Sequence, residues 1–276
     1  NLNLVFGSKL SVVEDQVFLE HQNIDALYDR FPSRILPQKY PDLVDINVPV
    51  CNPPAVNRMF EDKVETQLFL EKHNIPIPEM TTSNFKATMS KWNNLAIAKP
   101  RFGAFGIGIT LTETPPPLKT KGLCGMEQTI IQKYIRSPFG YKGISVRQLM
   151  FRNVDHSWFF PPSIARCSKT DFIVNASRGA DLIPAVEILP KHTLNSILSL
   201  SQQVSVALSA VNDHMWLTEL GLDFVIDEHW NPWLIELNGQ PKGRYQEIAY
   251  QRGGVWAQRH LEAVKKPLIT LLEWIS

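Results

Sequence analysis

Four acidic side chains and two amides lie in a short segment, GLDFVIDEHWNPWLIELN, which covers residues 221–238. The segment predicts two strands, 220–227 and 233–238, because apolar residues alternate on both sides of a polar turn containing Asn231-Pro232. Side chains point to alternate faces of a strand. We therefore expect a hairpin with a separate polar face.

Asp223 on the first strand and Glu236 and Asn238 on the second supply this polar face. If the hairpin pairs symmetrically, Asp223 lies across from Glu236 with Cβ atoms about 5 Å apart, where like charges repel. A bound Mg²⁺ relieves the repulsion, because it takes carboxylate oxygens and completes its shell with nucleotide phosphates. The alternative is a solvated hairpin face that carries two unrelated acids.

A lysine and a glycine-rich loop follow a short apolar strand at 95–98. Lys99 ends the strand, and the loop RFGAFGIG follows at 101–108, with glycines at Gly103, Gly106 and Gly108. Glycines let backbone N–H groups approach an anion closely, and the lysine adds a fixed positive charge. The pattern is neither a Walker A motif nor a dinucleotide fingerprint. The alternative is an ordinary hairpin turn.

An apolar strand predicted at 129–135 is interrupted by one polar residue, Gln132. Such a segment offers backbone N–H and C=O groups to the edge of an adenine ring, while Tyr134 and Ile135 pack near the ring. An ordinary core strand explains the pattern equally well.

Arg147 and Arg166 are arginines in predicted strands with apolar neighbours. A guanidinium in such a place requires a partner, and its fork matches the oxygens of a phosphate. A structural ion pair with Asp or Glu is the alternative for each arginine. Asn175 and Arg178 form a further polar cluster after the apolar residues 172–174.

The charges of the chain balance, with 28 Lys and Arg against 27 Asp and Glu and a net charge of +1. This balance gives no electrostatic reason to expect a nucleic acid or an acidic membrane as a partner. The three cysteines and seven histidines lack the spacing of a metal site or a disulfide framework, which favours a reducing compartment. No apolar run has membrane-spanning length and the start lacks a signal-peptide pattern, so the predicted location is the cytoplasm.

Strand-like and helical segments are segregated along the chain, which predicts an α+β fold. Residues 1–55 contain frequent prolines and predict little regular structure. Further strands are predicted at 145–151 and 157–165. Apolar residues at helical spacing predict a helix at 57–73, with Asn57 as N-cap and Phe60, Val64 and Leu68 on its buried face. They also predict helices at 191–211 and at 255–274, the latter with a kink at Pro267.

The order of these parts resembles the ATP-grasp superfamily from residue 57 to residue 244. Lys63 in the first helix precedes Lys99 and its glycine loop, and the Gln132 strand, Arg147 and the acidic hairpin follow. The spacing from Asp223 to Glu236 and Asn238 is similar to the metal-binding hairpin of that superfamily. Within it, the sequences at 28–34, 145–150, 163–166 and 173–179 resemble the bacterial endospore-coat-associated branch.

This resemblance implies two lobes whose antiparallel sheets clasp ATP: a reduced preceding segment at 1–55, an N-terminal lobe at 56–128 and a C-terminal lobe at 129–276. It implies Mg²⁺ ligands at Asp223, Glu236 and Asn238, and catalytic roles for Arg147, Arg166 and Asn175. The residues implied to contact ATP are Lys63, Lys99, Gly103, Gly106, Gly108, Gln132, Lys133, Tyr134 and Ile135. Residues 239–244 are implied to border the substrate. The chain departs from the pattern at 136–142, which contains no acid to hold the ribose, and at Ser145, where an acid is common.

The resemblance also implies an ATP-dependent carboxylate–amine ligase that forms an amide or peptide bond through an acyl phosphate. The implied partners are a small-molecule or peptide carboxylate and an amine acceptor. Alternatives are a phosphotransferase with the same ATP cradle and a non-catalytic nucleotide-binding protein associated with the coat. We expect the glycine loop to close as a lid. The apolar last helix, with Trp256 and Trp274, suits either a homo-oligomer interface or a core.

Overall fold

The computed structural model describes residues 10–13, 16–19, 22–30, 46–103, 106–122, 125–174, 180–211, 214–241 and 245–276. The helices are α1 (Pro54–Glu61), α2 (Lys63–Lys72), α3 (Phe85–Lys91), α4 (Lys191–Leu208), α5 (Tyr245–Arg252) and α6 (Gly254–Trp274). The first strands are β1 (Leu10–Val13), β2 (Gln16–Leu19), β3 (Gln22–Asn23), β4 (Leu27–Tyr28), β5 (Val50–Cys51), β6 (Met80–Thr81), β7 (Ala96–Pro100) and β8 (Thr110–Thr112). The others are β9 (Lys119–Gly122), β10 (Gly125–Lys133), β11 (Gly143–Arg152), β12 (Trp158–Phe159), β13 (Ile164–Ser168), β14 (Asp181–Pro184), β15 (Glu219–Ile226) and β16 (Pro232–Asn238).

Two larger antiparallel sheets form the body of the fold. The first has the order β6-β10-β7-β8, with β9 paired to β10, and the second has the order β14-β13-β11-β15-β16, with β12 paired to β11. Strands β1 to β3 form a separate antiparallel sheet, while β4 and β5 pair in parallel. The predicted α+β fold with antiparallel sheets is confirmed.

Strand β11 shows how the second sheet is buried on both faces. Its even-numbered residues Val146 and Met150 belong to a core cluster with Ile197 and Val204 of α4. The odd-numbered Leu149 and Phe151 belong to a second cluster, with Tyr245, Ile248 and Trp256 from α5 and α6. Since successive side chains of a strand point to opposite faces, helices cover the sheet on both sides and fix the strands that carry the site.

The single helix predicted at 57–73 is wrong, because α1 and α2 meet at Asp62. Pro54 begins α1 and suits a first helical position, where its missing N–H is not needed. The Asp62 carboxylate accepts from the N–H of Val64 at 2.9 Å and starts a new helix. Asn57, the predicted N-cap, is instead buried within α1.

The break also changes which residues of α2 face the core. We expected Leu68 to continue the apolar stripe of Phe60, but Leu68 is 54% exposed, whereas Phe60 and Leu70 are buried. A new helix start resets the helical phase, so a stripe extrapolated through Asp62 points to solvent.

The remaining differences lie at short elements and element ends. Pro161 and Pro162 separate β12 from β13, where one strand was predicted at 157–165, because proline lacks the ladder N–H. Helix α4 ends at Leu208 rather than at 211, and α3 and α5 were not predicted. Helix α6 continues through Pro267, and the kink predicted there stays a prediction.

Helix α6 mixes buried and exposed apolar residues. Trp256 lies in the second core cluster and the Trp274 indole N–H donates to Val154 O at 3.0 Å, while Leu261 and Val264 are exposed. Within the described residues, none of the helices has the length and apolar character that crossing a membrane requires. The proposed lobe division stays a prediction; β10 spans its boundary at 128/129.

Candidate functional site

A cavity of about 590 Å³ is lined by residues of both larger sheets. This volume is typical of a site for a small molecule or cofactor. The predicted site residues in its wall are Lys99, Gly103, Gly106, Gln132, Lys133, Tyr134, Ile135, Arg147, Arg166, Asp223, Glu236 and Asn238. Lys63 and Gly108 are not part of the wall, and Asn175 lies outside the described residues.

The hairpin of β15 and β16 places the predicted metal ligands. Asp223 pairs directly with Glu236, as expected, and Asn238 pairs with Gly221. A register shift follows Asp223, so that Phe224 pairs with Leu234. Such a bulge bends the strand and re-aims its side chains. Asn238 Oδ1 accepts from the N–H of Gln240 at 3.1 Å, which orients the amide at the strand end.

Two arginines bind the carboxylate of Asp223. Arg147 Nε donates to Oδ1 at 2.8 Å and Arg147 Nη2 donates to Oδ2, while Arg166 Nη2 donates to Oδ1 at 2.9 Å. Burial by itself raises the pKa of Asp223, but the charges and hydrogen bonds of Arg147 and then Arg166 hold it below its usual value. Asp223 is therefore a buried carboxylate in an ion-pair triad. This arrangement matches the structural alternative for both arginines, and their contact with phosphate stays a prediction.

Lys99 lies in the wall of the cavity and is only 6% exposed. Its Nζ donates to Gln132 Oε1 at 2.8 Å. Burial, followed by the nearby charge of Lys63, lowers the pKa of Lys99 to about 7, and Glu236 opposes the shift. Near neutral pH the Lys99 amine is therefore only partly protonated, and an anion that enters the cavity favours its protonated form.

Strand β10, which was predicted to hold adenine, has neighbouring strands on both sides at Gln132. Gln132 pairs with Met80 on one side and Ile97 on the other, and the N–H of Lys133 donates to Glu79 O at 2.8 Å. Tyr134 and Ile135 follow the strand and line the cavity. Backbone groups at 134–135 are therefore better placed to meet a ligand than those of the strand itself.

The base of the glycine loop is held by α2. Lys63 Nζ donates to Gly103 O at 2.8 Å, and the Lys63 N–H donates to Arg101 O at 3.3 Å. Gly108 has φ +73°, and a Cβ there would lie 2.3 Å from Lys121 O. Only glycine fits this position, and Lys63 acts on the loop rather than in the cavity wall.

One part of the cavity combines residues 239–240, which the sequence placed beside the substrate, with Arg30 and Asn57, which it did not predict. Arg30 and Asn57 line it beside Gly239 and Gln240. Arg30 Nη1 donates to Glu219 Oε1, Arg30 Nη2 donates to Pro241 O at 3.0 Å, and the Tyr28 hydroxyl donates to Glu219 at 2.8 Å. Burial raises the pKa of Glu219 to about 7 against the opposing effects of Arg30 and Tyr28.

The oxygen atoms of Glu236 and Asn238 suit a hard divalent cation such as Mg²⁺. Both residues line the cavity, whereas the oxygens of Asp223 already bind arginines. In the described part of the chain, no three His, Cys, Asp or Glu side chains are grouped as metal ligands. The residues present therefore fit a cation whose shell is completed by substrate phosphates rather than by a protein cage.

Comparison with known proteins supports a nucleotide site. The model of the YheC/D-like ATP-grasp family matches residues 118–262, more than half of the chain. No curated protein matches the sequence.

Several solved structures share the fold. D-alanyl-alanine synthetase A from Vibrio cholerae has a TM-score of 0.58 at 13% identity, over 94% of this chain and 83% of that chain. The carboxyaminoimidazole ribonucleotide synthase from Aspergillus clavatus, complexed with ATP, has a TM-score of 0.56 at 11% identity, over 82% and 56%. The N5-carboxyaminoimidazole synthetase from Staphylococcus aureus, complexed with ADP, has a TM-score of 0.51 at 13% identity, over 82% and 56%. This chain spans about half the length of the two carboxyaminoimidazole enzymes.

Proposed function

Because the chain belongs to the YheC/D-like ATP-grasp family, we propose that it is an ATP-dependent carboxylate–amine ligase. It forms an amide or peptide bond from a small-molecule or peptide carboxylate and an amine acceptor. We also propose that the chain belongs to the bacterial endospore-coat-associated branch and that its location is the cytoplasm. The proposed domain division is a segment at 1–55 followed by lobes at 56–128 and 129–276.

One observation carries this proposal: a single cavity brings together cationic and oxygen-bearing side chains from both sheets. Lys99 comes from β7, Arg147 from β11, and Glu236 from β16. Phosphoryl transfer requires positive charge around the transferring oxygens and needs no covalent protein nucleophile. The cavity offers this environment and is partly apolar beside Tyr134 and Ile135, where a base can pack.

The residues of the chain have distinct proposed roles in binding and orientation. Tyr134 and Ile135 pack beside adenine, and the glycine loop at 102–108 covers the phosphates. Lys99 contributes charge to the phosphates, while Arg147 and Arg166, held by Asp223, present their positive charge to the transferring group. Asn175 belongs to the proposed catalytic set by resemblance alone.

Mg²⁺, when bound, neutralises phosphate charge. We propose that Glu236 and Asn238 would hold it, with Asp223, whose oxygens also bind Arg147 and Arg166, as the third ligand. The reaction balances as carboxylate, ATP and ammonium giving amide, ADP, hydrogen phosphate and a proton. The acid oxygen attacks the γ-phosphorus, ADP leaves, and the amine nitrogen then replaces phosphate at the acyl carbon. A closed loop keeps water from the acyl phosphate.

The test uses ATP, Mg²⁺ and a panel of carboxylic acids, each labelled with ¹⁸O in the carboxylate and assayed with and without a panel of amines. We expect ADP release that depends on the acid, an amide product, and transfer of one ¹⁸O atom from the acid to inorganic phosphate. The label is diagnostic, because the acid oxygen that attacks phosphorus leaves with the phosphate.

Other outcomes distinguish the alternatives. A stable phosphorylated product that forms without any amine supports a phosphotransferase, and ATP binding without turnover across the panel supports a non-catalytic nucleotide-binding protein. The variant Glu236→Gln should lose turnover, while Glu228→Gln on the exposed hairpin turn is the matched control and should retain it.

A further inference from the structure

The cavity has two chemically different ends. One end carries Tyr134, Ile135 and Ser137, where the proposed function places the base. In the proposed arrangement the other end lies past Glu236 and Asn238 along β16, where Gly239 and Gln240 line the cavity. A substrate that reacts at the terminal phosphate must lie at this second end. The protein side chains at this end therefore determine which substrate binds.

Asn57 contributes an unused acceptor at this end. Its side-chain nitrogen donates to Asn52 O at 3.2 Å, but Oδ1 is buried and has no hydrogen-bond partner among the described residues. The residue is 8% exposed and lines the cavity, and its amide faces Gly239, where a Cβ would lie 2.0 Å from Oδ1. A buried acceptor without a donor is unfavourable by about 1–3 kcal/mol. Rotation about χ2, a soft torsion in Asn, would turn Oδ1 toward a ligand N–H and release the 3.2 Å contact of Nδ2 with Asn52 O.

Arg30 contributes a guanidinium beside the same loop. It is anchored through Glu219 and the Pro241 carbonyl, and its side chain remains 37% exposed. A guanidinium has five N–H donors, so these two hydrogen bonds do not saturate it. Its fork suits a carboxylate. Arg30 thus contacts Pro241 and Asn57 contacts Gly239, so that a cation and an acceptor lie beside the same loop.

We propose that Arg30 and Asn57 form the subsite for the amine substrate, which is an amino acid or a peptide with a free carboxylate near its amine. Asn57 Oδ1 accepts from the amine N–H and Arg30 binds the carboxylate of the same molecule. The reacting carboxylate of the acid substrate has no hydrogen to donate to Asn57, whereas the amine has, so we assign this acceptor to the amine. This inference rests on the proposed ligase function and adds the class of its second substrate.

The step at this subsite is attack of the amine on the acyl phosphate. The ammonium first releases one proton to solvent, and the nitrogen then bonds to the acyl carbon. The bond from that carbon to the phosphate oxygen breaks, and phosphate leaves with the electron pair and takes up the second amine proton. Asn57 orients the amine and Arg30 holds its carboxylate, so both are binding residues rather than acids or bases.

The experiment measures amide formation with each common amino acid and with its carboxamide, which keeps the amine but lacks the carboxylate charge. The quantity compared is the ratio of kcat/KM for the amino acid to kcat/KM for the carboxamide, since differences in intrinsic amine reactivity cancel between enzyme variants. We expect a ratio of about 10 to 100 for the natural sequence and a fall of this ratio to about 1 in Arg30→Met. Arg58→Met, an exposed arginine on α1, is the control and should keep the ratio.

Asn57 is tested by loss and rescue. Asn57→Ala should lower kcat/KM for amino acid and carboxamide alike by about 10-fold, because both share the N–H, and should leave the KM for ATP within twofold. Asn57→Asp restores an acceptor and should recover most of this loss. Arg30→Lys, which keeps the charge without the fork, should give an intermediate ratio if Arg30→Met does not fold.

Several results overturn the inference. Equal use of amino acids and carboxamides by the natural sequence does so, and so does an Arg30→Met variant whose KM rises for the acid or ATP rather than for the amine. In those cases an amide still forms and the ligase function stands. Failure of every acid and amine pair to give an amide overturns both proposals together.

Discussion

Lys99 is buried and lines the cavity that we propose to bind the phosphates of ATP. Its pKa in the folded chain is about 7, below the usual 10.5. Above pH 7 the free protein therefore loses this proton, while bound phosphate favours the ammonium. We predict that ATP affinity falls as pH rises from 7 to 9, by at most about tenfold per unit. Calorimetry at pH 8 in buffers of different ionisation enthalpy should show proton uptake on binding.

The free energy of unfolding should also depend on the titration of Lys99. An unfolded lysine stays protonated to about pH 10.5, so between pH 7 and about 9 the unfolded state binds more protons at Lys99, and the contribution of Lys99 to the free energy of unfolding rises with pH. Lys99→Met should abolish both the proton uptake and this rise, while Lys91→Met on the exposed side of α3 should retain them. Retention of the uptake in Lys99→Met would contradict the assignment.

Asp223 and Glu236 face each other across the hairpin but have different surroundings. Asp223 neutralises two buried arginines, so Asp223→Asn should lower the free energy of unfolding by about 3 kcal/mol or more. Glu236 is only half-buried, and Glu236→Gln should change that free energy by less than about 1 kcal/mol while losing Mg²⁺-dependent turnover. Urea denaturation and ADP release separate the two effects. Equal destabilisation by both substitutions would show that the triad does not support the fold.

Among the elements, the hairpin was predictable and the first helix was not. Alternating apolar residues around Asn231-Pro232 determine both strands and the pairing of Asp223 with Glu236, because these are local patterns. The break at Asp62 depends on a distant residue as well. Arg101 donates to its carboxylate at 2.8 Å and 2.6 Å, a contact that apolar periodicity cannot reveal.

The junction of α1 and α2 links helix stability to the glycine loop. Asp62 caps α2 and binds Arg101, whose carbonyl accepts from the Lys63 N–H. Asp62→Ala should therefore lower the free energy of unfolding by about 1–2 kcal/mol through the lost cap and weaken ATP binding several-fold by releasing the loop base. Glu65→Ala is the control, since Glu65 is exposed and lies 3.9 Å from Arg101. Thermal melts and ATP titration would contradict this prediction if both variants behaved alike.

At the level of the whole molecule, the candidate site is assembled from widely separated parts of the chain. Lys99, Arg147 and the hairpin acids were predicted, because charged residues beside apolar strands and glycines stand out in a sequence. Arg30 and Asn57 were not, since one lies in a proline-rich segment and the other resembled a helix cap. Their convergence at Gly239 depends on how α1 and β4 pack against the second sheet, and no local pattern encodes that packing.

A ligand in a cavity lined by both sheets should stabilise them as one unit. At 100 times its Kd, a non-hydrolysable ATP analogue adds about 2.7 kcal/mol to the free energy of unfolding. For a chain of this size we expect Tm to rise by about 5–8 °C in a single transition. AMP lacks the phosphates that Lys99 and the arginines are proposed to contact, so at the same concentration it should give a much smaller shift. Differential scanning calorimetry with both nucleotides provides the measurement. Equal Tm shifts with both nucleotides would show that the base supplies the binding energy and would contradict the phosphate site. A second transition with an unchanged Tm would show that one sheet unfolds independently of the ligand.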